Sequence, residues 1–453
     1  MNKVHSNTLD EMCELIVDCP HSTPKWTNTG HLVIRNQNIR NGRLDLSDKS
    51  YTNHEDYLVR VRRAVPQGGD LIFTREAPMG EICQVPEGLE CCVGQRQVLL
   101  RPAKGVSSDY LLYAMQSPFV RHQIFWNEGT GSTVSNVRIP VLKKLEIPRQ
   151  GQLESGIARL LKSFDDKIEL NRRMNETLEE MARALFRDWF VDFGPTRRQM
   201  AGATDPAAIM GHAFPTGDMP ADVGSGAKPI TATTLAPLFP AKLGEDGLPE
   251  GWKLGVIGDL CARIFSGGTP KTTVPNYWGG DLPWLSSGET RESFLLTTEK
   301  TITQEGVDNS STREANAGST VIASAGQGKT RGQTSYLAFD TYINQSVVAL
   351  EANPDLLPGS VLYLDLERRY EEFRSISDAH SSRGSLTTKL LAGLQTVLAP
   401  REAFLALGSI VAPLFEKIVA NKQENQTLAE MRDLLLPKLM SGEIRLKDVE
   451  DVL

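Results

Sequence analysis

Between Ile157 and Trp189 the chain writes two series of residues spaced seven apart: Ile157, Phe164, Asn171, Leu178, Leu185, and Leu161, Ile168, Asn175, Ala182, Trp189. These are the two seams of a heptad, the pattern that lays one long helix along another. Adding 250 to each number gives Leu407, Leu414, Asn421, Leu428, Leu435, and Val411, Ile418, Asn425, Arg432, Leu439. Period, register and both asparagines return, and only Arg432 breaks the apolar pattern among the other positions. Two independent helices would rarely share all of this, so the chain reads as a tandem duplication with one long helix in each copy.

The asparagines sharpen that reading. Each helix covers ~33 residues, roughly 50 Å at 1.5 Å per residue, and its midpoint falls between its two asparagines. Antiparallel packing about a two-fold would set Asn171 against Asn425 and Asn175 against Asn421. A seam asparagine weakens packing but penalises shifted registers, where it would face Leu or Phe without a hydrogen-bond partner. The expectation is a rigid antiparallel strut of fixed length. The plainer alternative is two separate amphipathic helices, each covering its own domain. Pro413 stands inside the second helix, which puts the start of the strut near Leu414 on that side. Arg432 in place of Ala182 leaves that end of the seam open, or in contact with a partner.

A chain of 453 residues exceeds one ordinary core and is expected to form two or three domains. Its net charge of −7 does not by itself mark a nucleic-acid binder, so DNA contact would need local basic patches or a basic partner. The six cysteines (Cys13, Cys19, Cys83, Cys91, Cys92, Cys261) contain no C-x-x-C pair and read as reduced thiols, not metal ligands. The opening MNKVHSNTLDEM has no apolar run of a signal peptide, and the uncharged stretch Ala403–Phe415 is too short to span a bilayer. A cytoplasmic protein is the expectation.

The fold class expected is α/β (α+β): two similar domains with mixed sheets, joined by two long antiparallel coiled-coil helices with pseudo-two-fold symmetry. The boundaries read as a domain at 1–150, a spacer helix at 151–193, an extended linker at 194–250, a second domain at 251–400, and a second spacer helix with a tail at 401–453. In the first domain, strands are expected at His31–Ile34, Asp70–Thr74 and Gln95–Leu100, and a short helix from Asp109, its N-cap. An apolar return follows at Ile139–Ile147. The linker is rich in Gly, Pro, Ala and Thr and reads as extended and partly disordered. Outside the helices the repeat continues: Gly30-His31-Leu32 lines up with Gly280-Asp281-Leu282, Leu112-Tyr113 with Leu362-Tyr363, and Pro148-Arg149 with Pro400-Arg401 at an offset of 252. The halves differ most between such anchors, in loops, which suits two readers of different targets and equally suits neutral drift.

Sequence signatures of catalysis are incomplete in this chain. Thr320 to Thr330 ends in Gly-Lys-Thr, but Ala323 stands where a phosphate-binding loop needs glycine, and a turn and strand follow where a helix should. A glycine-rich hairpin near a backbone-binding surface is the better reading. No Gly-x-Ser-x-Gly or His-Glu-x-x-His occurs, and Asn353-Pro354-Asp355-Leu356 lacks the second proline and the aromatic of an amino-methyltransferase loop. What remains is a set of side chains suited to phosphates and base edges. In the first half these are Lys25 (followed by Trp26), Arg35, Asn36, Gln37, Asn38, Arg40, Arg43, Arg62, Arg63, Gln95, Arg96 and Gln97, with Ser132 and Thr133 in a polar loop. In the second they are Lys271, Tyr277, Trp278, Trp284, Lys329, Arg331, Gln345, Ser382 and Arg383. Each alone is an ordinary solvated residue; together, in turns between anchors, they outline a DNA-reading surface.

These residues resemble a family. Similar to the specificity (S) subunits of type I restriction–modification systems are Gly69-Asp70-Leu71-Ile72, Gln95-Arg96-Gln97-Val98, and Phe164-Asp165-Asp166-Lys167-Ile168-Glu169-Leu170-Asn171 through Leu178. So are Trp189-Phe190-Val191-Asp192-Phe193-Gly194-Pro195, Leu248-Pro249-Glu250-Gly251-Trp252, and Leu435-Leu436-Pro437-Lys438-Leu439-Met440-Ser441-Gly442-Glu443-Ile444. The resemblance implies two target-recognition domains, each reading half of a split DNA sequence, with the helix pair setting the gap. It further implies two methyltransferase (M) subunits that use S-adenosylmethionine, restriction (R) subunits that use ATP, no membrane association, and no active site or cofactor in this chain. The runners-up are a coiled-coil adaptor whose domains bind protein, and a nucleotide hydrolase built on residues 320–330.

Overall fold

The strand Leu71–Thr74 shows how the first copy is layered. All four side chains are buried, yet they part company: Leu71 and Phe73 enter one core and Ile72 another. The neighbouring strand Gln97–Pro102 does the same, with Val98 and Leu100 on one side and Leu99 on the other. A strand covered on both faces reads as a continuous apolar run, and its period of two deals residues alternately to the two sides. The computed structural model describes residues 5–126, 136–211, 231–326, 328–380 and 385–450. These form two compact units, one made of 1–169 with 425–453 and the other of 170–424.

In the first unit, one sheet has the order Cys13–Asp18, Gln97–Pro102, Leu71–Thr74, Ile82–Gln84, antiparallel throughout. A second sheet runs Cys91–Val93, His31–Ile34, Ser50–Thr52, Trp26–Thr27, its first pair parallel. Ile34, Ile72, Val93 and Leu99 meet between the sheets. The other face of the first sheet is covered by the helix Ser108–Gln116 and by long-helix side chains such as Ile157, Leu161 and Leu439. That short helix is capped by Ser107, whose hydroxyl accepts from the Tyr110 N–H, so Asp109 lies within its first turn and is not the cap.

The second unit repeats the plan. Its first sheet runs Cys261–Ser266, Val347–Ala352, Thr320–Ala323, Thr334–Leu337, with Phe294–Leu295 added at the edge. Its second contains Lys300–Ile302, Trp278–Leu285 and Thr341–Ile343 in the equivalent order, the last two parallel, plus Arg313–Ala315. Val348 and Leu350 go to one core and Ala349 to the other, the same division as Val98, Leu100 and Leu99. Single hydrogen bonds recur too: Leu9 N–H to Leu145 O (2.9 Å) has its twin in Ile257 N–H to Leu394 O (2.8 Å), and Ala103 N–H to Met12 O in Asn353 N–H to Leu260 O.

The heptads form two long helices, Glu154–Phe190 and Arg401–Ser441. Both are shared between the units, and each unit buries an antiparallel pair of its own. In the first, Ile157 and Leu161 pack with Leu436, Leu439 and Met440. In the second, Ala182, Leu185 and Trp189 share a core with Leu407, Val411 and Ile418. Asn421 Nδ2 donates to Asn175 Oδ1 at 2.8 Å, both side chains buried, as the antiparallel register requires. Asn171 Nδ2 donates to Glu424 at 2.7 Å, one residue before Asn425, which is half-buried. Pro413 does not delay the second helix, which begins at Arg401, because Ala403, Leu407 and Ile410 bury the turns before it. This helix is apolar and long enough by composition to cross a membrane, yet Ala403, Leu407, Val411 and Ile418 lie in the core of the second unit and Leu436, Leu439 and Met440 in that of the first. Arg432 is not left open: its guanidinium meets Asp165 Oδ1 at 2.6 Å, and the same carboxylate takes Arg43 at 2.8 Å and the Tyr113 hydroxyl at 2.7 Å.

The segment expected to be an extended linker is largely folded where it is described. Helices Gly194–Met200, Pro206–Met210 and Ala232–Leu235 pack Ile209, Met210, Leu235 and Phe239 around Trp189, Phe190 and Trp252. Arg198 staples this cap with paired 2.8 Å bonds to Asp188 and further bonds to the carbonyls of Ile209 and Met210. Glycine and proline content concealed this, because Pro195 and Pro206 open helices here instead of breaking them.

The Asp165 cluster is mostly sequestered, so removing its carboxylate leaves Arg43 without its acid and Arg432 with Asp433 alone. Asp165→Ala is expected to cost about 2–4 kcal/mol in chemical denaturation, whereas Arg187→Ala, which loses only an exposed pair with Asp192, should cost below about 1 kcal/mol.

Candidate nucleic-acid interface

Each unit brings together the same loops by the same backbone bonds. In the first, Arg75 N–H donates to Arg96 O and Val137 N–H to Arg75 O. In the second, Ser324 N–H donates to Ser346 O and Leu386 N–H to Ser324 O. The hairpin after the central strand is thereby held against the turn that precedes Gln97–Pro102 or Val347–Ala352, and against the segment leading into the helix Ile139–Lys143 or Thr388–Ala392. Polar side chains crowd this junction in the first unit. Arg75 is committed to it, forked onto Asp18 at 2.9 Å and bonded to Val137 O. Arg96 has left-handed backbone (φ 66°), which turns its half-exposed side chain outward beside Glu76 at 3.4 Å.

The side chains expected to read DNA fall into four groups. Lys25, Arg35, Arg40, Arg62, Arg63 and Arg96 are exposed in the first unit, and Lys271, Lys329 and Gln345 in the second. Arg35 spans Trp26 at 5.1 Å and Ser50 at 3.3 Å, and Gln345 accepts from the Thr269 hydroxyl at 2.5 Å. Half-buried residues are partly engaged: Asn36 with the carbonyls of Glu76 and Ala77, Gln37 with Asp48 at 2.7 Å, Gln95 with His21 O at 2.6 Å, and Arg43 with Asp165. Tyr277 is also half-buried. Ser132, Thr133, Ser382 and Arg383 lie outside the described residues.

Four expectations are corrected. Asn38 is buried and closes its own turn, accepting from Arg35 N–H and donating to the carbonyls of Asp45 and Asp48. Gln97 is buried with its carbonyl on Gly94 N–H. Trp284 is only 4% exposed, its indole N–H on Gly268 O at 3.2 Å. Arg331 is drawn in against Asp378. These residue types satisfy buried backbone as readily as they satisfy bases. Sequence reasoning omitted Arg291 and Arg374, which with Lys329, Tyr370, Glu367 and Glu371 line an open cleft of about 620 Å³. The Gly-Lys-Thr stretch is the turn between the antiparallel strands Thr320–Ala323 and Thr334–Leu337, without the helix a phosphate-binding loop requires.

A tandem pair of two-sheet domains, each exposing cations around a hairpin and its neighbouring loops, defines a modular recognition protein. The family model for the type I restriction modification DNA specificity domain matches residues 1–180 and 249–393. The chain belongs to this family and is a DNA sequence-specificity subunit. It is 27% identical over 66% of its length to the type I restriction enzyme HindI specificity subunit of Haemophilus influenzae, covering 69% of that protein. It is 22% identical over 84% to the MjaIX specificity subunit of Methanocaldococcus jannaschii, covering 79% of it. Its fold is similar, with a TM-score of 0.56 at 16% identity and 97% coverage of both chains, to the crystal structure of a type I restriction–modification S subunit from M. genitalium.

Among the described residues no cluster of potential metal ligands occurs. All six cysteines are free. Burial pushes the thiols of Cys13, Cys91 and Cys261 up to about 12 and that of Cys92 to about 11, from an ordinary 9.0. They therefore stay protonated at neutral pH, and thiolate chemistry is suppressed. Because the unfolded thiols ionise first, the folded state binds more protons above pH 9, and stability falls as pH rises from there towards 12. Denaturant midpoints should decline over that window, and a thiol reagent at pH 8 should label the buried cysteines only after unfolding.

Proposed function

We propose that this chain reads a bipartite duplex target, one half-site per unit, and scaffolds methyltransferase and restriction subunits without carrying chemistry of its own. The single observation behind the modular reading is the duplicated junction of hairpin, turn and loop, fixed by matching backbone bonds yet dressed with different side chains. Identical scaffolds with unlike surfaces suit two half-sites of unlike sequence. S-adenosylmethionine and ATP would be used by the partner subunits, in the cytoplasm where DNA and both cofactors are found. A net charge of −7 fits a reader whose partners supply part of the phosphate contact.

Mapping methylated sites in cells that carry the complete system tests this. Arg96→Gln should relax or change the first half-site only and Lys329→Gln the second only, each by ~10–100-fold in discrimination if the side chain forks onto a base. Deleting the chain should abolish site-specific methylation. A substitution in one unit that shifts both half-sites alike would defeat the one-unit, one-half-site assignment.

A further inference from the structure

Each unit sets a tryptophan beside a cation at the same point of its second sheet. Trp26 pairs in register with Thr52, on the side of the strand away from His31, which pairs with Thr52 from the other side. In the second unit Trp278 and Leu282, on one strand with a register shift between them, both pair with Ile302. Arg35 lies over the Trp26 ring at 5.1 Å, braced by Ser50; Lys300 lies over the Trp278 ring at 5.9 Å. A second lysine adjoins each: Lys25 precedes Trp26, and Lys271 holds the Trp278 indole N–H on its carbonyl at 3.3 Å. The two arrangements are not related by a constant sequence offset; only strand register reveals them.

Most arginines near the cores of this acidic chain are matched to carboxylates, as Arg43, Arg75, Arg101 and Arg149 are. Among the described residues no carboxylate forms an ion pair with the side chain of Lys25, Arg35, Lys271 or Lys300, although Asp56 accepts from the Lys25 backbone N–H at 2.6 Å, and all four side chains are exposed. Trp26 is 48% exposed, and no described residue accepts from its indole N–H. Trp278 is half-buried, edge-on to Trp284 at 5.0 Å, and leaves part of its ring in water beside Lys300. Aromatic surface left in water beside positive charge is the composition of a binding contact. What both units share should engage what both half-sites share, and half-sites of different sequence share the sugar–phosphate backbone.

We propose that Trp26–Arg35 and Trp278–Lys300 are equivalent backbone anchors for duplex DNA, the cation on a phosphate and the indole packed on the adjoining deoxyribose. This rests on the DNA-reading function above and assigns positioning, not base choice, to the four residues. The test uses the assembled methyltransferase complex with the full chain and a 30-base-pair duplex probe, titrated between low and moderate salt. Arg35→Gln and Lys300→Gln should each flatten the log–log salt slope by ~0.9. Trp26→Ala and Trp278→Phe should weaken binding by ~5–30-fold with the slope unchanged, and all four variants should leave the methylated sequence as it was. Native slope and affinity in both Gln variants would overturn the proposal, as would a changed methylated sequence, which would make these residues base readers. If the native complex itself shows no salt-dependent binding, the DNA-reading function falls together with the anchors. The Gln variants alter exposed side chains only, so the outcome does not depend on whether the tryptophan variants fold.

Discussion

The amide contact between Asn175 and Asn421 governs the register on which the second unit is assembled. Both side chains are buried on a seam otherwise made of Ala182, Leu185, Leu407, Val411 and Ile418. Sliding one helix by a turn would bring an amide against leucine or phenylalanine, where neither its donor nor its acceptor is met. Neighbouring apolar contacts tolerate such slips; the amide does not. With that alignment fixed, Phe404 reaches the ring of Phe190 and Phe415 reaches Tyr363 and Phe294, so helix register and domain core are determined together.

Duplication has preserved the backbone more strictly than the interior. Asp165 and Phe415 occupy corresponding places, as do Tyr113 and Tyr363. In the first unit the tyrosine hydroxyl bonds the Asp165 carboxylate, which also holds Arg432 and Arg43. In the second the tyrosine ring meets Phe415 edge-on at 5.8 Å, within a cluster of aromatics. One site is closed by charge and the other by packing, on matching helices. Divergence between the copies is therefore not confined to loops.

The long helices were legible because a heptad announces itself over many residues and the asparagines marked its alignment. Strands such as His31–Ile34 were legible from short apolar runs bounded by glycine and asparagine. The cap built from residues 194–211 and 231–239 was not, since its aromatic contacts follow no period and prolines there start helices. Nor could sequence separate Arg96, which faces solvent, from Gln97, which is buried beside it; that depends on a left-handed residue in a turn. Trp284 misled for a related reason: a tryptophan in a turn-rich stretch beside Trp278 looks like a reader until its indole is found on a buried carbonyl. The equivalence of Trp26 and Trp278 needed strand pairing, a non-local property.

The first unit draws part of its core from the far end of the chain: Leu436, Leu439 and Met440 pack with Ile157 and Leu161. Ile157 and Leu161 are therefore made well before Leu436, Leu439 and Met440 can cover them, and their apolar face stays open while the intervening second unit is synthesised. Truncating those three side chains would leave that face to chaperones and proteases, so the first unit cannot close its core independently of the second.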